Sequence, residues 1–163
     1  MDIDYIELFK SIPPQLATML IALIPIAELR ASIPIALTVY KLPIWQAIFF
    51  SVIADIIIAA LIIYWLEPVY NFISGKFSWL DRFFVWLFKR TRRKFFHKYE
   101  IYGNIALMLF VAIPLPVTGA WTGSIASWLF GIPKNRSLFY IALGVIISAG
   151  IVTLISLGFI RIF

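Results

Sequence analysis

Two stretches of the sequence decide how this chain folds. The first reads IPIAELRASIPIALTVYKLP, from Ile24 to Pro43, and the second reads IPLPVTGAWTGSIASWLFGIP, from Ile113 to Pro133. Each begins with Ile-Pro, continues through a tract of helix-breaking, small or charged residues, and ends at another proline. In the first, Pro25 and Pro34 are expected to break the apolar run. An apolar stretch of about 23 residues follows each copy, long enough to cross a bilayer. A broken apolar hairpin followed by a membrane span, made twice, is how many transporters are built.

The composition is that of a membrane protein. Hydrophobic residues make up 63% of the 163 residues and charged residues 13%, and the mean hydropathy is +0.98. Soluble domains are about 45–50% apolar and about 25% charged, so a lipid solvent is the simple explanation. We therefore predict an all-α integral membrane protein. Cysteine is absent and the one histidine, His97, lies in a basic run, so we expect no metal and no cofactor.

The predicted elements form a single membrane domain, residues 1–163. The first repeat, 1–66, contains a hairpin at 12–42 and a span at 44–66. The second repeat, 105–160, contains a hairpin at 105–132 and a span at 137–160. A linker, 67–104, joins the two repeats. A hairpin arm of about 13–14 residues measures about 20 Å at 1.5 Å per residue. The hydrocarbon core is about 30 Å thick. We therefore predict re-entrant hairpins, with arms that cross completely as the alternative.

The net charge of +6 belongs to the linker. Between Lys76 and Glu100, eight bases face two acids, and the remaining six bases and six acids of the chain balance. Because loops rich in Lys and Arg stay on the cytoplasmic side, we predict that segment 76–100 is cytoplasmic, and we expect no nucleic acid partner. The two hairpins then enter from opposite sides, which makes the halves inverted repeats.

The linker also carries an amphipathic pattern. Its apolar residues recur at helical spacing just before a basic cluster. This pattern predicts a helix that lies on a membrane surface and binds anionic lipid headgroups, and a helix that faces a protein partner is the alternative. The residues predicted to bind the membrane surface are Arg90, Arg92, Arg93 and Lys94.

Three ionisable residues fall inside the apolar part. Glu28 and Arg30 lie at the predicted tip of the first hairpin, and Asp55 lies near the centre of the following span, one turn after Ser51. Such residues are retained in membranes where they pair or line a wet cavity. We interpret Arg30 as a group that holds a substrate anion and Glu28 as one that exchanges a proton, with a local ion pair as the alternative. Asp55 is either a proton carrier or the partner of Arg30.

The second stretch has no charge, but it breaks at prolines and glycines. The break exposes the N-terminus of a half-helix, which could bind an anion, while its threonines contact the substrate or only satisfy backbone groups. Glycine and serine at every fourth position predict close packing, in Gly119, Gly123, Ser127 and Gly131 and again in Gly144 and Ser148. The predicted substrate- or ion-binding residues are Glu28, Arg30, Pro34, Asp55, Pro114, Pro116, Thr118, Gly119 and Thr122.

The tracts PIAELRASIP and IPLPVTGAWTGSIASWLFG resemble the small multidrug export protein family, over nearly the whole chain. That family is similar in turn to the DedA/VTT superfamily of membrane transporters and lipid scramblases. The resemblance implies two facing re-entrant hairpins, a plasma-membrane location and, from the DedA side, ion-coupled translocation of a lipid phosphate. Glu28, Arg30 and Asp55 match the kinds of residue that those relatives use. DedA proteins carry arginine in the second tract, whereas this chain has none from Ala112 to Gly123.

Three classes of function remain open at this stage. The first is a small transporter or lipid flippase or scramblase, coupled to a proton or ion gradient, with a lipid-phosphate or small-molecule substrate such as a drug. The second is a non-transporting interaction protein that acts through its basic helix. The third is an intramembrane enzyme, which the lack of any nucleophile-histidine-acid set, metal motif or phosphate loop argues against. Because four apolar elements are few to enclose a pathway, we also expect a homodimer.

Overall fold

The computed structural model describes residues 12–74, 99–115 and 118–162, and within these ranges it contains six α-helices and no strand. The helices are α1 Pro14–Ala22, α2 Glu28–Thr38, α3 Ile44–Ser74, α4 Tyr99–Ala112, α5 Ala120–Phe130 and α6 Lys134–Ile162. The predicted all-α class is therefore confirmed. The basic cluster at Arg90, Arg92, Arg93 and Lys94 lies outside the described residues, and so does Pro116.

The first hairpin consists of α1 and α2, which pack against each other. Helix α1 ends at Ala22 because Pro25 cannot continue it, and a short turn leads into Glu28, the first residue of α2. The sequence analysis also treated Pro34 as a break, and this is wrong. Helix α2 runs through Pro34 to Thr38, and the Thr38 hydroxyl donates to the Pro34 carbonyl at 2.7 Å.

The second hairpin consists of α4 and α5, which are also in contact. Helix α4 ends at Ala112, just before Ile113-Pro114, and α5 ends at Gly131, which caps it in the left-handed conformation with φ 72°. Glycine suits this position because it lacks a Cβ. Helices α1, α2 and α5 have 9, 11 and 11 residues. At 1.5 Å per residue they measure about 14–17 Å, well short of a hydrocarbon core of about 30 Å.

Two helices are long and apolar enough to cross a membrane. The qualifying segments are Ile44–Phe72 of α3 and Lys134–Phe159 of α6. Helix α3 was predicted at 44–66 but continues to Ser74, and α6 begins at Lys134, three residues earlier than predicted. The two helices are joined near one end, where the Lys134 ammonium lies 2.7 Å from the Glu67 carboxylate.

The contacts between helices are reciprocal. Within each half, the two hairpin helices pack against each other and each packs against the long helix of its own half. Between the halves, α2 of the first hairpin packs against α6, α5 of the second hairpin packs against α3, and the two long helices pack against each other. Each half therefore makes the same set of helix contacts, both within itself and with the other half.

Small side chains make the close packing possible. A Cβ on Gly144 of α6 would lie 2.7 Å from the Met108 carbonyl oxygen and 2.8 Å from the Val111 Cβ, and a Cβ on Gly123 of α5 would lie 2.5 Å from a Val111 methyl group. Helices in lipid associate through such close packing because lipid supplies no hydrophobic driving force between them. The predicted packing role of Gly123 and Gly144 is confirmed, whereas Gly131 is exposed and acts as a cap.

Gly144→Ala should therefore loosen the contact between α6 and α4. We expect a loss of about 1–3 kcal/mol in the free energy of unfolding, because the nearest neighbour is a backbone carbonyl that cannot rotate away. The measurement is unfolding by sodium dodecyl sulfate in mixed micelles. Gly150→Ala is the matched control on the same helix, since nothing lies within 4 Å of its added Cβ. Equal stability of the two variants would contradict the prediction.

Candidate functional site

The candidate site lies where the broken regions of the two hairpins meet. Glu28, the first residue of α2, is 3% exposed. Its Oε1 accepts a hydrogen bond of 3.2 Å from the Trp121 backbone amide in the first turn of α5. Gly119, the residue before α5, supplies no side-chain cap. The carboxylate of the first hairpin therefore caps the half-helix of the second, where a negative charge is favoured by the helix dipole.

Glu28 also has an unusual backbone. Its φ is 45°, which is uncommon for any residue except glycine. Holding a side-chain-bearing residue there costs on the order of 1–3 kcal/mol, and such residues cluster at functional sites. The conformation aims the carboxylate across the interface between the hairpins, where it meets the backbone amide of Trp121.

Arg30 holds the other side of this carboxylate. Its Nη2 lies 3.0 Å from Oε2 of Glu28 and donates at 2.5 Å to the Thr118 carbonyl. Its Nη1 donates to the Leu115 carbonyl. One guanidinium therefore binds the acid of its own hairpin and two backbone carbonyls of the other break, a use that suits its planar fork of donors.

Thr118 stabilises the turn whose carbonyls accept hydrogen bonds from Arg30. Its hydroxyl lies 2.7 Å from the Ile113 carbonyl and 2.9 Å from the Leu115 carbonyl, and it accepts from the Leu115 amide at 3.1 Å. The Thr122 hydroxyl lies 3.5 Å from the Gly119 carbonyl. Both hydroxyls thus satisfy backbone groups at the break, which is the second of the two roles that the sequence left open.

Gly119 is where the two hairpins approach most tightly. A Cβ added to it would overlap both carboxylate oxygens of Glu28. Only glycine leaves room for that carboxylate at the start of α5. The four-residue spacing pointed to packing, and at Gly119 the packing partner is the charged residue itself.

Asp55 lies beside this cluster in the middle of α3. Its side chain is fully buried, and neither carboxylate oxygen has a hydrogen-bond partner in the described part of the chain. The Leu29 amide and the charges of Glu28 and Arg30 act on it. The suggested ion pair between Arg30 and Asp55 is not among those that join the described residues, since the donors of Arg30 go to Glu28 and to the second break.

A buried serine pair adjoins Asp55 and was missed by the sequence analysis. The Ser32 hydroxyl of α2 donates to the Ser51 hydroxyl of α3 at 2.7 Å. Ser51 lies one turn before Asp55 and Ser32 one turn after Glu28, so both share a helix face with an acid. The signal was present in that spacing, but only the fold shows that the two faces meet.

The remaining predicted residues are prolines, which contribute no polar side chain, or lie outside the described ranges. Pro34 is half-buried within α2, and Pro114 belongs to the turn that follows α4. Pro116 and the four residues predicted to bind the membrane surface are not described. A cavity of about 420 Å³ is lined by Asn104, Asn135, Arg136, Phe139 and Tyr140, near the start of α6. None of these five residues belongs to the charge cluster.

Comparison with known proteins gives one match. A family model described as "Putative small multi-drug export protein" matches residues 28–151, from Glu28, the first residue of α2, through the break of the second hairpin into α6. No curated protein and no solved structure matches the chain.

Proposed function

Because the chain belongs to the small multidrug export protein family, matched over residues 28–151, we propose that it is a small membrane transporter that acts without chemical change to its substrate. The substrate is a lipid with an anionic headgroup or a small molecule of the drug type. The transport site is the region where the hairpin breaks meet, at Glu28, Arg30 and the start of α5. A transmembrane proton or ion gradient drives the movement.

The observation that carries this proposal is the charged link between the hairpins. Glu28 and Arg30 of the first hairpin hold the N-terminus and the preceding turn of the second. Charged residues buried in an apolar chain are costly, and they are retained where they serve a functional site. Broken helices whose ends meet charged groups are the recurring design of substrate and ion sites in secondary transporters.

The reciprocal packing supports an inverted-repeat mechanism. Each hairpin packs against the long helix of its own half and against that of the other half. Two halves related in this way offer two equivalent arrangements, each open to a different side of the membrane. In the closed arrangement the carboxylate of Glu28 occupies the anion-binding end of α5, so an anionic substrate group would have to displace it. Passage from one arrangement to the other moves the substrate.

The setting of the site follows from the charge pattern. We place the protein in the plasma membrane, with the hairpins re-entrant from opposite sides and segment 76–100 in the cytoplasm, because that segment carries the net charge of +6. Its basic residues would bind anionic headgroups. A second copy of the chain would help to enclose the pathway, since six helices, four of them short, surround little solvent.

The test is translocation in proteoliposomes. One arm follows a fluorescent anionic lipid and the other follows ethidium, each with and without an imposed pH gradient. We expect wild type to move one of them faster than empty liposomes. Glu28→Gln should reduce the rate at least tenfold, because the neutral amide no longer draws Arg30 to the start of α5.

The control is Glu67→Gln, which removes an exposed acid paired with Lys134 at the end of α3 and should transport like wild type. Movement of the lipid alone would assign a flippase, and movement of ethidium alone a small-molecule exporter. If folded, inserted protein moves neither probe, or if Glu28→Gln is as active as wild type, the proposal is wrong.

A further inference from the structure

We propose that Asp55 is the residue that binds and releases the coupling proton, while Glu28 remains ionised as an internal counter-ion of Arg30. This assignment rests on the proposed function as far as coupling is concerned. It reverses the roles that the sequence favoured, in which Glu28 exchanged the proton. The contacts of the two acids carry the argument.

Glu28 is also buried, but donors that stabilise the charged form are bound to both of its oxygens. One oxygen faces the Arg30 guanidinium at 3.0 Å, and the other accepts from a backbone amide in the first turn of α5. Hydrogen bonds to the charged form and an adjacent cation both favour ionisation. Removing this charge would leave Arg30 without the acid it binds and α5 without its cap.

Asp55 has the opposite surroundings. It is fully buried, and no side chain of the described residues donates a hydrogen bond to it, although the Leu29 backbone amide faces it. A buried carboxylate without a paired cation is costly in its charged form and neutralises instead. The donors of Arg30 that the structure resolves are directed to Glu28 and to the carbonyls of Leu115 and Thr118, so Arg30 acts on Asp55 only through its charge and donates no hydrogen bond to it.

Charge balance within the cluster leads to the same assignment. Helices α1, α2, α5 and α6 pack against α3. Helices α1 and α5 carry no ionisable acid or base, and α2 contributes Glu28 and Arg30. Helix α6 carries Lys134 and Arg136 at its start, level with Tyr64, which bonds to Asn135, and Arg161 near its far end. Tyr64 is nine residues from Asp55, so the start of α6 lies about 13 Å from Asp55 along the axis of α3. Two acids therefore share one nearby base, and a single proton makes the cluster neutral.

The serine pair gives this proton a polar neighbourhood. The Ser51 hydroxyl lies one turn from Asp55 on α3 and is joined to Ser32 of α2 at 2.7 Å. The pair lies across the contact between the first hairpin and α3, so movement of the hairpin would change the surroundings of Asp55. A proton bound at Asp55 would thereby be tied to the position of the hairpin.

Infrared spectroscopy with isotope labels tests the assignment without a variant. The protein is studied at neutral pH in a detergent that lacks ester groups, and the carbonyl stretch of neutral carboxyl groups is recorded. We expect one such band, which shifts when aspartate is labelled with ¹³C and stays in place when glutamate is labelled. Asp55→Asn should remove it, and Glu67→Gln should leave it. A band that follows the glutamate label, or no band at all, would overturn the proposal.

A second arm tests the coupling. In proteoliposomes, an imposed pH gradient should accelerate movement of the substrate by wild type and by Glu67→Gln, but should no longer accelerate movement by Asp55→Asn. Continued acceleration in this variant would overturn the coupling role. If wild type moves neither probe, the proposed function fails, while the infrared result still decides which acid holds the proton.

Discussion

Arg30→Gln should abolish transport and cost about 3 kcal/mol of stability, the largest effect expected of any single substitution in this chain. Truncating one partner of a buried charge pair typically costs about 3–5 kcal/mol, because the other charge stays buried without compensation. We take the lower end because the Arg30 side chain is 18% exposed. The carbonyls of Leu115 and Thr118 would also lose their donor. The measurements are unfolding in mixed micelles and translocation in proteoliposomes.

A double variant separates the cost of leaving the Glu28 charge unpaired from the cost of losing the hydrogen bonds of Arg30. Glu28→Gln combined with Arg30→Gln leaves no unpaired charge, so it should be more stable than Arg30→Gln alone, although still inactive. Lys134→Gln is the control, because it breaks an ion pair whose partners are 42% and 50% exposed. Such exposed pairs contribute at most about 1 kcal/mol. The link between the hairpins would be refuted if Arg30→Gln unfolded at the same detergent fraction as wild type.

Gly119→Ala should have the second-largest effect. The new methyl group would overlap both oxygens of the Glu28 carboxylate and push it away from the start of α5. We expect a loss of about 1–3 kcal/mol from this overpacking and a transport rate reduced at least tenfold. Because the displaced group is the Glu28 carboxylate of the proposed site, the substitution should reduce the transport rate by a larger factor than it reduces the free energy of unfolding.

Shortening the acid provides the matched test for Gly119. Glu28→Asp withdraws the carboxylate by one methylene group, so the combination of Glu28→Asp with Gly119→Ala should be more stable than the sum of the two single variants predicts. Gly158→Ala is the control for adding a methyl group, since nothing lies within 4 Å of its Cβ. Strictly additive losses in the double variant would mean that the two residues do not compete for space.

Much of the fold follows from the positions of the prolines and charges. Pro25 and Pro114 each mark the end of a first hairpin helix, and two apolar stretches gave the long helices to within a few residues at the hairpin side. Pro34 misled the prediction because one missing backbone donor does not end a helix whose neighbours hold it. The far end of α3 was missed because the prediction ended the helix just before the charged residue Glu67, whereas the helix continues through Glu67 and Pro68 to Ser74.

The site was predictable as a set of residues but not as a set of contacts. Glu28, Arg30 and Gly119 stand out in the sequence because charge and glycine are rare in apolar stretches. Their pairing could not be predicted, since Glu28 and Trp121 are 93 positions apart and only packing brings them together. Arg30 was suggested as the partner of Asp55 because no base lies near Asp55 in the sequence, whereas the structure directs the donors of Arg30 to Glu28 and to the second break.

The reciprocal contacts have a consequence for how the molecule holds together. Helix α2 of the first half packs against α6 of the second, and α5 of the second half packs against α3 of the first. Each half therefore covers part of the long helix of the other. The halves contact one another as two subunits of a dimer do, although they share one polypeptide. Neither can rearrange its hairpin without altering the packing of its counterpart, and the smallest unit able to move is therefore the whole chain.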